Sequence, residues 1–115
     1  MYTNGSRRLW LLQAVMGILL ILLLGVHWIA QHYLAAEGLR NYAAVAAYLR
    51  QPIILALEIT FLVVITGHAL LGVRAILTDL GLQAHWQRAL DATLWLIGLF
   101  TVLYGIQLVW QIVHQ

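Results

Sequence analysis

Three long apolar runs dominate this chain and constrain its fold more than any other feature. They cover residues 9–30, 52–77 and 89–112 of 115. Each holds at least about 22 residues, and a helix rising 1.5 Å per residue over that length crosses a hydrocarbon core of roughly 30 Å. The composition agrees: 63% of the residues are hydrophobic and only 9% charged, against roughly 25% charged in a soluble domain. The sequence therefore predicts an all-α membrane protein with three transmembrane helices in a single membrane domain spanning 1–115.

Polar residues punctuate the runs. Arg7 and Arg8 precede the first, and Trp10 and Trp28 stand near its ends, where interfacial aromatics gather. The first run is too long for the apolar core of a cleaved signal peptide and lacks a small-x-small exit. Pro52 suits the first turn of the second helix. Asp91 is expected in the first turn of the third, where an acid meets the positive end of the helix dipole. Between the first two runs, residues 36–49 read as a short amphipathic helix on the membrane surface, with Tyr42, Val45, Ala46 and Leu49 at helical spacing. A plain loop is the alternative. Arg7, Arg8, Arg74 and Arg88 fall on the N-terminal side, against Arg40 and Arg50 opposite. That bias predicts a cytoplasmic N-terminus in a multi-pass inner (cytoplasmic) membrane protein.

The chain has no cysteine, which removes disulfides, thiol catalysis and iron–sulfur ligation by its own residues. All six cations are arginine, and a net charge of +2 is too small and scattered for a nucleic-acid partner.

The most informative stretch runs from Gly67 to Asp79. His68 stands inside the second apolar run, and histidine within a membrane helix ordinarily has a ligand or a proton partner. Gly72, one turn later, lies on the same helix face, where a side chain would block a flat group docking on the imidazole. Arg74 follows near the edge of such a group, placed to meet a carboxylate. An axial imidazole, a cleared face and a cation for a propionate suggest haem. A core histidine bonded to a backbone carbonyl or a threonine is the competing reading.

His27 lies toward the far end of the first run, at roughly 27 Å from the inner boundary against about 12 Å for His68. Two imidazoles on one iron need their nitrogens about 4 Å apart, so the two histidines are expected to serve separate sites, each completed by a partner chain. An interfacial histidine beside Trp28 is the alternative for His27. His32, His85 and His114 fall in polar or terminal positions and read as solvated. Glu58, about two turns into the second run, is expected near the interface, protonated, or paired with another chain. Gly17, Gly25, Gly98 and Gly105 read as close helix contacts.

The pattern His68-x-x-x-Gly72-x-Arg74-x-x-x-x-Asp79 resembles the signature of the membrane-anchor (cytochrome b) subunits of succinate dehydrogenase and fumarate reductase, respiratory complex II. The segment Gly25-Val26-His27-Trp28-Ile29-Ala30-Gln31-His32-Tyr33 is similar to the end of the first span in short bacterial and archaeal anchors. Arg50-Gln51-Pro52, with Glu58 six residues after the proline, resembles their entry into the second span. Two positions depart from the family pattern. Leu80 stands where a tyrosine often follows the acid, and Gln13-Ala14-Val15-Met16-Gly17 replaces an early arginine and serine or threonine.

The resemblance implies a three-helix half of a haem-binding helical bundle, completed by a second membrane-anchor subunit. It implies docking of an iron–sulfur subunit and a flavoprotein subunit on the cytoplasmic side. His68 matches a haem b ligand, Arg74 a residue near the propionates, and Asp79 an acid near the quinone pocket. Such an anchor binds one or two haems b, with His27 as candidate ligand of the second, and passes electrons from the iron–sulfur subunit to quinone. It carries no succinate chemistry itself. Two alternatives stay open: the anchor of another di-haem cytochrome b quinone oxidoreductase, or a haem-free structural or assembly membrane protein.

Overall fold

The computed structural model describes residues 4–35 and 41–115. It contains four helices: α1 (Asn4–Tyr33), α2 (Tyr42–Leu49), α3 (Pro52–Thr78) and α4 (Ala84–Val113). There is no strand among the described residues. α1, α3 and α4 are each long and apolar enough to span a membrane. α1 and α4, of 30 residues each, are about 45 Å long, which accounts for most of the 53 Å long axis.

The long helices outrun the apolar runs that predict them. α1 continues through Asn4–Arg8 and on to Tyr33, and α4 starts five residues before Ala89. Hydropathy marks where the hydrocarbon ends. The backbone hydrogen bonds have no reason to break there, and the helix runs on through the interface. One consequence corrects a sequence expectation: Asp91 is the eighth residue of α4 rather than a first-turn acid.

α3 is the central helix. It packs antiparallel against α1 on one side and α4 on the other, while α1 and α4 do not pack on each other. α3 and α4 approach closely at a glycine: a Cβ on Gly98 would lie 2.7 Å from Leu70 Cδ1 and would have to displace that side chain. The α3–α4 connection is tight. Asp79 caps α3, and Gly81, with φ of 73°, takes the left-handed conformation that turns the chain away from the helix.

α2 is seated in the protein rather than lying free on a surface. Asn41 caps it, its side chain accepting from the Ala44 amide at 2.8 Å. Ala46, Tyr48 and Leu49 are buried, and Tyr48 and Leu49 join Ala30 and Ile54 in the only well-buried cluster among the described residues. Tyr42, placed on the apolar face by spacing, is 55% exposed. Residues 36–40 of the expected amphipathic segment lie outside the described residues. Arg50, after α2, donates to the carbonyls of Val113 (3.2 Å) and Gln115 (3.0 Å), satisfying acceptors at the negative end of α4. Elsewhere the bundle surface is apolar: Ile21, Trp95 and Phe100 are among its most exposed side chains. Lipid, or apolar helices of other chains, suit that surface.

Candidate functional site

His68 is half-buried on the α1 side of α3. Its Nδ1 lies 3.2 Å from the backbone oxygen of Gln13. A carbonyl oxygen can only accept, so this contact is a hydrogen bond with the proton on Nδ1. In a neutral imidazole that assignment leaves Nε2 with the lone pair, and Nε2 has no partner among the described residues. The arrangement matches that of metal-binding histidines, whose second nitrogen donates to a carbonyl or carboxylate and fixes ring and tautomer. The residues present therefore fit an axial ligand.

Gly72 and Arg74 meet neighbours within the chain. A Cβ on Gly72 would stand 3.1 Å from the Gln13 amide nitrogen, so the space this glycine leaves is bordered by the Gln13 side chain. The amide oxygen of Gln13 is buried without a hydrogen-bond partner. Arg74 donates from Nε to Asp91 Oδ1 at 2.7 Å and from Nη2 to Oδ2 at 3.4 Å. Asp91 thus serves α3 across the helix interface, and Arg74 already has a carboxylate. Asp79 is exposed at the C-cap of α3, where the helix dipole disfavours an acid.

His27 belongs to a separate polar cluster toward the other end of the bundle. Its Nδ1 lies 2.7 Å from Glu58 Oε1, close enough for an ion pair though outside hydrogen-bond direction. Its Nε2 lies 2.8 Å from the amide nitrogen of Gln31, one turn on. The ring stacks on Phe61 with centroids 5.1 Å apart. The Tyr48 hydroxyl donates to the same Glu58 oxygen at 3.5 Å. Burial first, and then the carboxylate of Glu58, push the Tyr48 phenol above its ordinary pKa. Glu58 is therefore paired inside its own chain, with α1 and α2 both contributing.

One antiparallel register serves both clusters. His68 lies ten residues past Glu58 on α3, and Gly17 ten residues before His27 on α1, so the clusters are about 15 Å apart along the bundle. The two histidines do not converge, and among the described residues no three His, Asp or Glu side chains gather as a metal site. His32, His85 and His114 are exposed; His32 and His114 stack on Trp28 and Trp110, and His85 meets Trp86 at a tilt.

Gln13, Gln31, Tyr48 and Asp91 were not singled out by sequence reasoning as partners of these groups. Tyr48 sits in an alanine-rich segment with no marker of burial, and a backbone acceptor such as that of Gln13 has no sequence signal. Asp91 carries one: an acid inside an apolar run asks for a cation at matching depth, and Arg74 is the arginine across the turn.

A cleft of about 450 Å³ opens between α1, α3 and α4, lined by Leu12, Met16, Leu70, Trp95 and the Arg74–Asp91 pair. His68 is not part of its lining.

Comparison with known proteins agrees with this architecture. Residues 6–108 match the family described as succinate dehydrogenase/fumarate reductase transmembrane subunit. A succinate dehydrogenase hydrophobic membrane anchor subunit of Archaeoglobus fulgidus is 35% identical over 103 residues, covering 90% of this chain and 87% of that protein. A protein of the same name from Thermoplasma acidophilum is 30% identical over 93 residues, covering 81% and 76%. No solved structure matches. With three apolar helices in the expected order and both relatives matched over most of their length, the chain belongs to the family of succinate dehydrogenase and fumarate reductase transmembrane subunits, as a membrane anchor.

Proposed function

We propose that this anchor holds haem b through His68 and helps form a quinone site near Asp79, between the iron–sulfur subunit and the membrane quinone pool. When bound, haem b supplies one-electron transfer. Support comes from a single observation: an imidazole inside a membrane helix whose Nδ1–H is held by a carbonyl and whose Nε2 has no partner among the described residues. His27 sits about 15 Å away along the bundle, so any further ligand to the same haem would come from the second anchor subunit. Asp79, exposed where α3 ends, would exchange protons with water as quinone takes up two electrons and two protons. The excess of Arg7, Arg8, Arg74 and Arg88 over Arg40 and Arg50 supports a cytoplasmic N-terminal end, where the iron–sulfur and flavoprotein subunits would dock.

His27 fits ligation less well, because side chains of its own chain stand within 2.8 Å of both ring nitrogens. The proposed complex therefore carries one haem per anchor pair, at His68.

The test is purification of the assembled complex, identification of its subunits and a reduced-minus-oxidised haem spectrum. His68→Ala is expected to abolish the b-type signal while the complex still oxidises succinate with a soluble artificial acceptor. A second reading, a haem-free anchor, is favoured by the bonds His68 and Arg74 already make within the chain. Absence of a b-type signal from the intact complex would select it.

A further inference from the structure

The region around His68 contains a second element on α1, and it is a glycine. Gly17 faces the imidazole: a Cβ built there would lie 3.2 Å from His68 Cε1 and 3.7 Å from Nδ1. Gly17 is also four residues after Gln13, whose backbone oxygen receives the Nδ1 proton. In an α-helix the carbonyl of one residue points toward the residue four positions on, which already donates to it. A side chain on that later residue covers the flank of the oxygen. With glycine there, the flank is bare and the oxygen can accept a second hydrogen bond from outside the helix.

We propose that Gly17 is a positioning residue for the haem ligand. By having no side chain it admits the His68 ring to the surface of α1 and exposes the Gln13 carbonyl that holds Nδ1–H. The pair sets the ring plane and the tautomer, so that Nε2 is the nitrogen offered to iron, and the hydrogen bond raises the basicity of the ligand. This rests on His68 being the haem ligand, and it adds a determinant on a different helix. Gly25 provides the contrast, since a Cβ there would meet nothing within 4 Å.

The experiment uses the whole complex, with Gly17→Ala, Gly17→Leu, Gly25→Ala and His68→Ala. Assembly is read from the subunits that co-purify and from succinate oxidation with a soluble acceptor. Haem content, the electron paramagnetic resonance g-values of the ferric haem and its midpoint potential are then measured. In Gly17→Ala the ring must give by a few tenths of an ångström, which weakens the bond to Gln13. Haem should remain, with altered g-values and a potential raised by at least about 59 mV, a tenfold loss of preference for ferric over ferrous iron in a one-electron couple. Gly17→Leu, which fills the ring's place, should lower haem content at least tenfold in assembled complex. Gly25→Ala should leave all three readouts unchanged. Wild-type haem, g-values and potential in both Gly17 variants would overturn the proposal while leaving His68 as ligand. An unchanged haem spectrum in His68→Ala would overturn it together with the reading on which it rests.

Discussion

Arg74 and Asp91 face each other across the α3–α4 interface in a two-point pair, Nε to Oδ1 at 2.7 Å and Nη2 to Oδ2 at 3.4 Å. Both side chains are partly shielded, 22% and 38% exposed, and they line the apolar cleft between the three long helices. A charge in such a place is costly unless paired. The pair therefore fastens α4 to α3 near the turn.

Removing either partner should destabilise the anchor by on the order of 1–3 kcal/mol, between the values for exposed and buried pairs. Asp91→Asn and Arg74→Gln should lower the thermal midpoint of the purified complex by similar amounts, and the double variant should cost little more than either alone. If Arg74 serves Asp91 alone, neither change moves the haem potential. A shift in Arg74→Gln that is absent in Asp91→Asn would assign the arginine to a propionate instead.

His27→Ala should leave haem content unchanged and loosen the joint between α1, α2 and α3, because it strands Glu58 in a half-buried site. The loss is expected at about 1–3 kcal/mol, read as a lower thermal midpoint. His27→Ala combined with Glu58→Leu should recover part of it, since no unpaired carboxylate is left. Loss of half the haem in His27→Ala would establish a second haem at this level.

Tyr48 predicts an alkaline sensitivity. Burial and Glu58 raise its pKa in the folded chain, so the folded state keeps the phenolic proton to higher pH than the unfolded state. Below about pH 10 both states are protonated and stability is indifferent to pH. Above it the unfolded state binds fewer protons, and stability falls as pH rises. Thermal midpoints across this range should fall more gently in Tyr48→Phe than in the parent complex. Parallel curves would remove Tyr48 as a contributor. Near neutral pH the substitution should matter little, since a 3.5 Å hydrogen bond is at the limit of useful geometry.

Asp79→Asn separates structure from function at one position. An exposed acid at the C-terminal end of α3 opposes the helix dipole, so neutralising it should stabilise the helix slightly, by about 0.3–1 kcal/mol. A proton-exchanging carboxylate, in contrast, cannot be replaced by an amide. Asp79→Asn should slow quinone reduction several-fold with haem content near normal and stability equal or higher. Unchanged quinone turnover across pH would exclude the proton role.

The three spans, the helical class and the separation of His27 from His68 follow from the sequence alone. Hydrophobic runs and the fixed rise of an α-helix are local properties, and any fold that keeps the runs helical keeps those depths. The resemblance to complex II anchors was legible for a similar reason, since His68, Gly72, Arg74 and Asp79 lie on one helix and its cap. What the tertiary structure decided is which groups answer each polar residue. Glu58 is satisfied by His27 and Tyr48, Arg74 by Asp91, and Nδ1 of His68 by a backbone oxygen made accessible by Gly17. Apart from Tyr48 and Glu58, ten residues apart, none of these pairs is close in sequence. The distant pairs depend on the antiparallel register of α3 against α1 and α4, which is set by how glycines and side chains interlock at the helix interfaces. In an apolar bundle that interlocking has no polar pattern to announce it, so only the packed structure specifies the partners.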